Sequence, residues 1–249
     1  KAFPDADTDN DGGVSIRQAN VWFSGNWGKL TMGHTSEASD GTTGADLSGT
    51  GLTVTAPGST DVSADIKFWE GGGGSVSHDS TYSKFDGGRK DVLRYDSPKL
   101  GPVGVAVNIA NDQSWSASAK VKTALGGGQL SAALGYSHDT GKNPGNVDSR
   151  LGMSASYLFS QGTSIGGHYA TNETEGGVDS DSFSITLGHK WGVHAVAATY
   201  AEGNDGAGGS TAAARQGFER QGYSVEYVHT LKKANTKLYA GYQHATLDA

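Results

Sequence analysis

The sequence of 249 residues contains no cysteine and only 5 prolines. Without cysteine there is no disulfide framework, no thiolate nucleophile and no cysteine-based zinc site. Few prolines argue against a Pro/Gly-rich low-complexity chain, and the absence of a three-residue glycine period excludes collagen. Charged residues make up 18% and hydrophobic residues 35%, both below a typical soluble domain. The formal net charge is −7, so no basic stripe is present to displace counterions from nucleic acid. No apolar run approaches the roughly 18 residues that a membrane helix needs. What the chain has in excess is glycine, 39 residues, more than double the roughly 7% of average usage. A mean hydropathy of −0.46 is that of a soluble protein. That criterion misses barrels whose strands face lipid on one side and water on the other. The chain opens on Lys1 and enters an acidic stretch at 5–13 without a signal peptide, which reads as a mature or truncated start.

The dominant pattern is a period of two. Trp115, Ala117, Ala119 and Val121 alternate with Ser116, Ser118, Lys120 and Lys122, and Leu130, Ala132, Leu134 and Tyr136 alternate with Ser131, Gly135 and Ser137. The pattern returns at Leu151, Met153, Ala155 and Tyr157, at Phe183, Ile185 and Leu187, at Tyr223, Val225 and Tyr227, and at Leu238, Ala240 and Tyr242. Such alternation gives each strand one apolar and one polar face, and no comparable stretch has helical spacing. The chain is predicted to be all-β, with about twelve strands from Val14 onward.

Most joints alternate in length. Short ones fall at 25–28, 99–102, 126–129, 160–163, 191–192 and 232–235, and longer polar ones at 35–90, 111–114, 139–148, 171–181 and 202–218. In an up-and-down meander all short turns then lie at one end and all long loops at the other, the layout of a transmembrane β-barrel. Parity also sorts the aromatics. Trp115, Tyr136, Tyr169, Phe183, Tyr200, Tyr223 and Tyr242 fall near the long-loop ends. Phe23, Tyr157, Phe159, Trp191 and Tyr227 fall near the short-turn ends. Two aromatic rings at two interfaces are what a bilayer favours. The predicted fold is a transmembrane antiparallel up-and-down β-barrel, and residues 1–249 are read as one barrel domain. Residues 1–13 form an external loop in this reading.

The segment at 16–33 has an Arg17-Gln18 strand, a Gly25-Asn26-Trp27-Gly28 turn and a second strand ending on Gly33. It resembles a hairpin of the Gram-negative trimeric general-diffusion porins. Arg94-Tyr95-Asp96-Ser97-Pro98 resembles the porin strand that follows the long inward loop, and Asn235-Thr236-Lys237-Leu238-Tyr239-Ala240 the turn and strand before the porin C-terminus. Their order and spacing agree along nearly the whole chain. The resemblance implies a sixteen-stranded barrel, a homotrimer in the outer membrane of a Gram-negative bacterium, contact with the lipid bilayer and lipopolysaccharide, and a constriction loop at 35–90. The chain ends Leu247-Asp248-Ala249 rather than on an aromatic, and its first matching strand corresponds to about the family's fourth. The first three strands and the last are therefore expected to lie outside this sequence. An open sheet with unpaired edges does not persist in a bilayer.

Parity places Arg94, Lys120, Lys122, Arg150, Lys190, Arg220, His168, Glu226 and Lys237 on the lumenal face, and Arg89 and Lys90 on the return of the long loop. The loop carries Glu37, Asp40, Asp46, Asp61 and Asp65, with Asp79 and Asp86 further on. The resemblance implies an eyelet in which these acids face a basic wall, a field that orients dipolar solutes. Arg94, directly after the loop, is the first candidate. Arg17, on the apolar parity of its strand, is placed at the rim or in a subunit contact.

Asp7, Asp9 and Asp11, with Gly12 and the carbonyl of Gly13, have the spacing of an EF-hand calcium loop. Gln18 stands where a bidentate Glu belongs, and a solvated acidic loop explains the run equally well. No His-Glu-x-x-His or Gly-x-Ser-x-Gly pattern is present, and the four glycines at 71–74 precede neither a Lys-Ser/Thr pair nor a helix. The expected function is a passive channel for small hydrophilic solutes and ions, requiring no cofactor, with Ca²⁺ in the external loop as an option. It is not an enzyme and binds no nucleic acid. The alternatives are a solute-specific porin and a secreted calcium-binding β protein.

Overall fold

The computed structural model describes residues 4–5, 15–51, 86–111, 113–139, 147–174, 179–204 and 219–248. Strands β1 (Pro4–Asp5) and β2 (Ser15–Ile16) form a short antiparallel pair. The rest is one twelve-stranded sheet: β3 (Ala19–Gly25), β4 (Gly28–Ser36), β5 (Arg89–Asp96), β6 (Val103–Ala110), β7 (Trp115–Leu125), β8 (Gly128–His138), β9 (Val147–Leu158), β10 (Thr163–Thr174), β11 (Ser180–Trp191), β12 (His194–Asn204), β13 (Glu219–Leu231) and β14 (Thr236–Asp248). Strand order in the sheet is sequence order, every pair is antiparallel, and β3 and β14 are its edges. The meander has the predicted turn asymmetry. Two-residue turns at 26–27, 126–127 and 192–193 lie at one end, and the joint at 37–88 lies at the other. At 126–127 both residues have positive φ, 56° and 82°. That turn matches the twist of its flanking strands, and two glycines adopt it without strain.

Register shows why the alternation matters. One row across the sheet reads Val21, Met32, Leu93, Ile109, Trp115. The adjacent row reads Trp22, Thr31, Arg94, Asn108, Ser116, Ser137, Arg150, Asn172, Ser180. The apolar face points outward: Leu93, Ile109, Ile165, Leu187 and Val225 are all exposed. The polar face is the buried one, with Asn108, Ser116, Ser154, Ser182, Thr199 and Ser224 covered. A water-soluble sheet does the reverse. This inverted arrangement suits a strand array with lipid outside and a wet lumen inside.

Aromatic contacts mark both rims of the outer face. At the long-loop end Trp115 packs on Tyr136 at 5.4 Å, Phe183 on Tyr200 at 6.3 Å and Tyr223 on Tyr242 at 6.2 Å. At the short-turn end Tyr157 meets Phe159 edge-on at 4.7 Å, and His189, Trp191, His194 and Tyr227 stack in succession. Both girdles expected from the sequence are present.

Candidate functional site

The joint between β4 and β5 turns inward. Arg94 on β5 begins the fold-back, its guanidinium donating to the carbonyls of Ser36 and Glu37, each at 3.0 Å. The main chain from 38 to 47 then runs along the lumenal wall, and short polar side chains of the wall take its backbone groups. Ala38 N–H donates to Asn108 Oδ1 (2.6 Å), Ser39 N–H to Ser116 Oγ (3.3 Å), Ala45 N–H to Ser154 Oγ (2.9 Å) and Leu47 N–H to Ser156 Oγ (3.1 Å). Ser154 in turn donates to the Thr42 carbonyl at 2.6 Å. The serine-rich parity of β7 and β9 therefore has a purpose: its hydroxyls satisfy loop amides that would otherwise be buried without partners.

Glycines on the same face let the loop approach. A Cβ on Gly135 would stand 2.6 Å from Thr42 Oγ1, and one on Gly188 would stand 2.7 Å from Ser48 Cβ. The start and return of the loop close on each other. Glu37 N–H donates to the Gly88 carbonyl (2.9 Å), and Gly88 N–H donates to Glu37 Oε2 (3.0 Å). Burial pushes the Glu37 carboxyl above the usual carboxylate range, against the Gly88 N–H and the Lys90 ammonium, which pull it down. Asp86 is raised by burial too, opposed by the hydroxyl and amide of Thr43, which donate to it at 2.8 and 3.3 Å.

The predicted cations are spread over the wall. Lys90 and Arg150 converge on Asp139: the Lys90 ammonium donates to Oδ1 and Arg150 to Oδ2 at 2.5 Å, with Glu37 Oε1 3.8 Å from Lys90. Arg94 is paired with Asp96 on its own strand face, 2.7 Å from Oδ1. Lys120 donates to the Asp40 carbonyl at 2.5 Å, while Lys122 stands beside it with Lys99 around a cavity of about 370 Å³. Arg220 and Glu226 are buried on the lumenal face of β13, and His168 lies between Ser182 and Ser184. Lys190 packs its stem against Gly49 of the loop, and Lys237 shares the lumenal parity through its pairing with Thr230. Arg89 shares its strand parity with the outward-facing Leu93 and Tyr95 rather than with Arg94.

The sequence reading set wall cations across an opening from loop acids. The structure instead has Arg94 and Lys120 holding the loop by its carbonyls, because the loop lies against the wall. Among the acids, Glu37 is locked in the loop base, Asp46 accepts from Ser48 N–H and Oγ in its own turn, and Asp40 accepts the Lys120 ammonium on its backbone carbonyl while its N–H donates to the Glu37 carbonyl. Asp61, Asp65 and Asp79 lie outside the described residues, as do Asp7, Asp9, Asp11 and Gly13.

Three lumenal residues were missed. Asp139 sits one residue past β8, where parity no longer applies. Lys29 and Asp96 are register partners on the polar face, and the strand assignments alone would have found them. With Trp22, Thr31 and Arg94 they border a lumenal cavity of about 670 Å³ beside the loop base.

Comparison with known proteins bears on this arrangement. The family model described as Gram-negative porin matches residues 2–249. Among solved structures, the anion-selective porin from Comamonas acidovorans superposes with a TM-score of 0.62 at 19% identity, covering 97% of this chain and 70% of that one. The loop L8 deletion mutant of OmpT, an outer membrane protein of Vibrio cholerae, gives 0.59 at 17% identity over 96% and 76% of the two chains. The trimer form of in-vitro folded OmpT from Vibrio cholerae gives 0.56 at 17% identity over 96% and 73%. No curated protein matches. With its inverted strand faces, two aromatic girdles and a match along 2–249, the chain belongs to the Gram-negative porin family, channels of the outer membrane.

Proposed function

We propose that this protein is a passive diffusion channel for small hydrophilic solutes and ions, whose passage is set by the loop at 35–90. The observation that carries the reading is the seating of residues 38–47 on the polar wall; in a closed barrel a loop held there narrows the lumen from within. Size selection follows from how far the loop stands from the facing wall. Charge selection follows from the residues left lining the opening: Lys29, Arg94 and Asp96 on one side, and Lys120 and Lys122 beside the loop. A narrow polar passage with fixed charges favours solutes that couple to its field and disfavours apolar ones.

In this reading transport is downhill, needs no cofactor and involves no chemical step, so the protein is not an enzyme. The working assembly is a homotrimer in lipid and lipopolysaccharide, for which the trimer form of a structural relative is the supporting precedent. The test is swelling of liposomes reconstituted with the full protein in a size series of neutral sugars. Rates that fall steeply with solute size support the loop as the filter. Rates no faster than protein-free liposomes contradict the channel.

A further inference from the structure

Aromatic residues of the described strands stand on the outward face with two exceptions, Trp22 and Tyr239. Trp22 pairs with Thr31 and belongs to the same row as Arg94, Asn108 and Ser116. Its neighbours Val21 and Phe23 take the outward positions, and Trp22 lines the cavity on the lumenal side. An apolar ring in a wet, otherwise polar row leaves water-exposed surface that a solute with an apolar face would cover. Lys29 Nζ stands 5.7 Å from the Trp22 ring centroid, so this ammonium is held over the ring. The nearby guanidinium of Arg94 is already engaged by Asp96 and two loop carbonyls. Lys29 is thus the cation of this wall best able to meet an incoming anion. Gln18, Asn20, Thr31 and Asp96 also line the cavity of about 670 Å³, and the Asp96 carboxylate there is paired with Arg94. One aromatic platform beside a cation that is not spent on a carboxylate, in a polar cavity, is the composition of a small-molecule site.

We propose that Trp22 and Lys29 form a binding site in the channel for small organic carboxylates that carry a ring. The carboxylate meets the Lys29 ammonium, and the ring packs against the indole. The inference rests on the channel reading and gives it a preferred solute class.

The test uses the full-length protein in planar bilayers, titrating benzoate and acetate against the KCl current. Benzoate has the ring and the charge, and acetate the charge alone. Half-blocking benzoate concentration is expected to be about tenfold below that of acetate. W22A brings the two together, W22F restores the preference for benzoate, and K29Q weakens block by both anions. SDS-resistant oligomers of each variant show that it has folded, and W22L, which keeps apolar bulk without the ring, serves where W22A does not assemble. Equal block by benzoate and acetate in the native protein overturns the site while leaving the channel intact, as does an unchanged ratio in W22A. A protein without KCl current overturns the channel reading and this inference with it.

Discussion

Ser48 rests directly on Gly188: a methyl group added to Gly188 would stand 2.7 Å from Ser48 Cβ and 3.0 Å from its Cα. Neither atom is the end of a flexible side chain, so the loop has to move. G188A is expected to lift residues 46–50 from β11, at a cost of about 1–3 kcal/mol for overpacking. Liposome swelling with the larger sugars checks this. The size cutoff rises in G188A if the loop sets it.

The wall serines contribute in a graded way. Ser154 and Ser156 accept from Ala45 and Leu47, bonds each worth about 0.5–1.5 kcal/mol. The S154A/S156A double variant is expected to retain the barrel and loosen the loop. Hydrogen exchange at the Ala45 and Leu47 amides reads this, with faster exchange there and no change in the β9–β10 ladder.

Asp139 holds two cations at once. D139N leaves Lys90 and Arg150 facing each other without the shared carboxylate. The pairs are part-buried, so a loss of about 1–3 kcal/mol is expected, between that of exposed and buried ion pairs. One negative charge also leaves the loop end of the lumen. The reversal potential under a KCl gradient is expected to shift toward chloride.

Glu37 gives a dependence on pH with a definite sign. Its carboxyl is raised in the folded protein, so folding favours the protonated form. Its contribution to stability is fully present below the ordinary carboxylate range and is lost as pH rises through the raised value. E37Q imitates the protonated group. The unfolding temperature of E37Q in detergent is expected to exceed that of the native protein near neutral pH, with the gap closing on acidification.

Strand number, strand direction, turn asymmetry and the two aromatic girdles were legible in the sequence. A period of two and a sorting by strand end are local signals, and antiparallel pairing of neighbours adds no free choice. Lumenal parity is a signal of the same kind, and the register sets Arg94 and Arg150 in one row with Asn108, Ser116 and Ser137. The partners of those residues were not legible. Arg94 holds Ser36 and Glu37 from 57 or 58 residues away, and Lys120 holds Asp40 across 80. Nothing in strand periodicity says that a loop returns to lie on the wall. Gly135 falls on the polar parity of its strand, and nothing local there or at Gly188 marks the wall as a place where the loop makes contact. Trp22 lies between the outward-facing Val21 and Phe23, so its even parity already points it inward.

The most direct measurement is the current through single channels formed by the full protein in a planar bilayer, with the reversal potential recorded under a KCl gradient. The account predicts large ohmic steps that close in thirds, with a reversal potential that moves when Lys29, Arg94 or Asp96 is neutralised. Folded protein that inserts without conducting, or that conducts with a selectivity indifferent to these three residues, would contradict it.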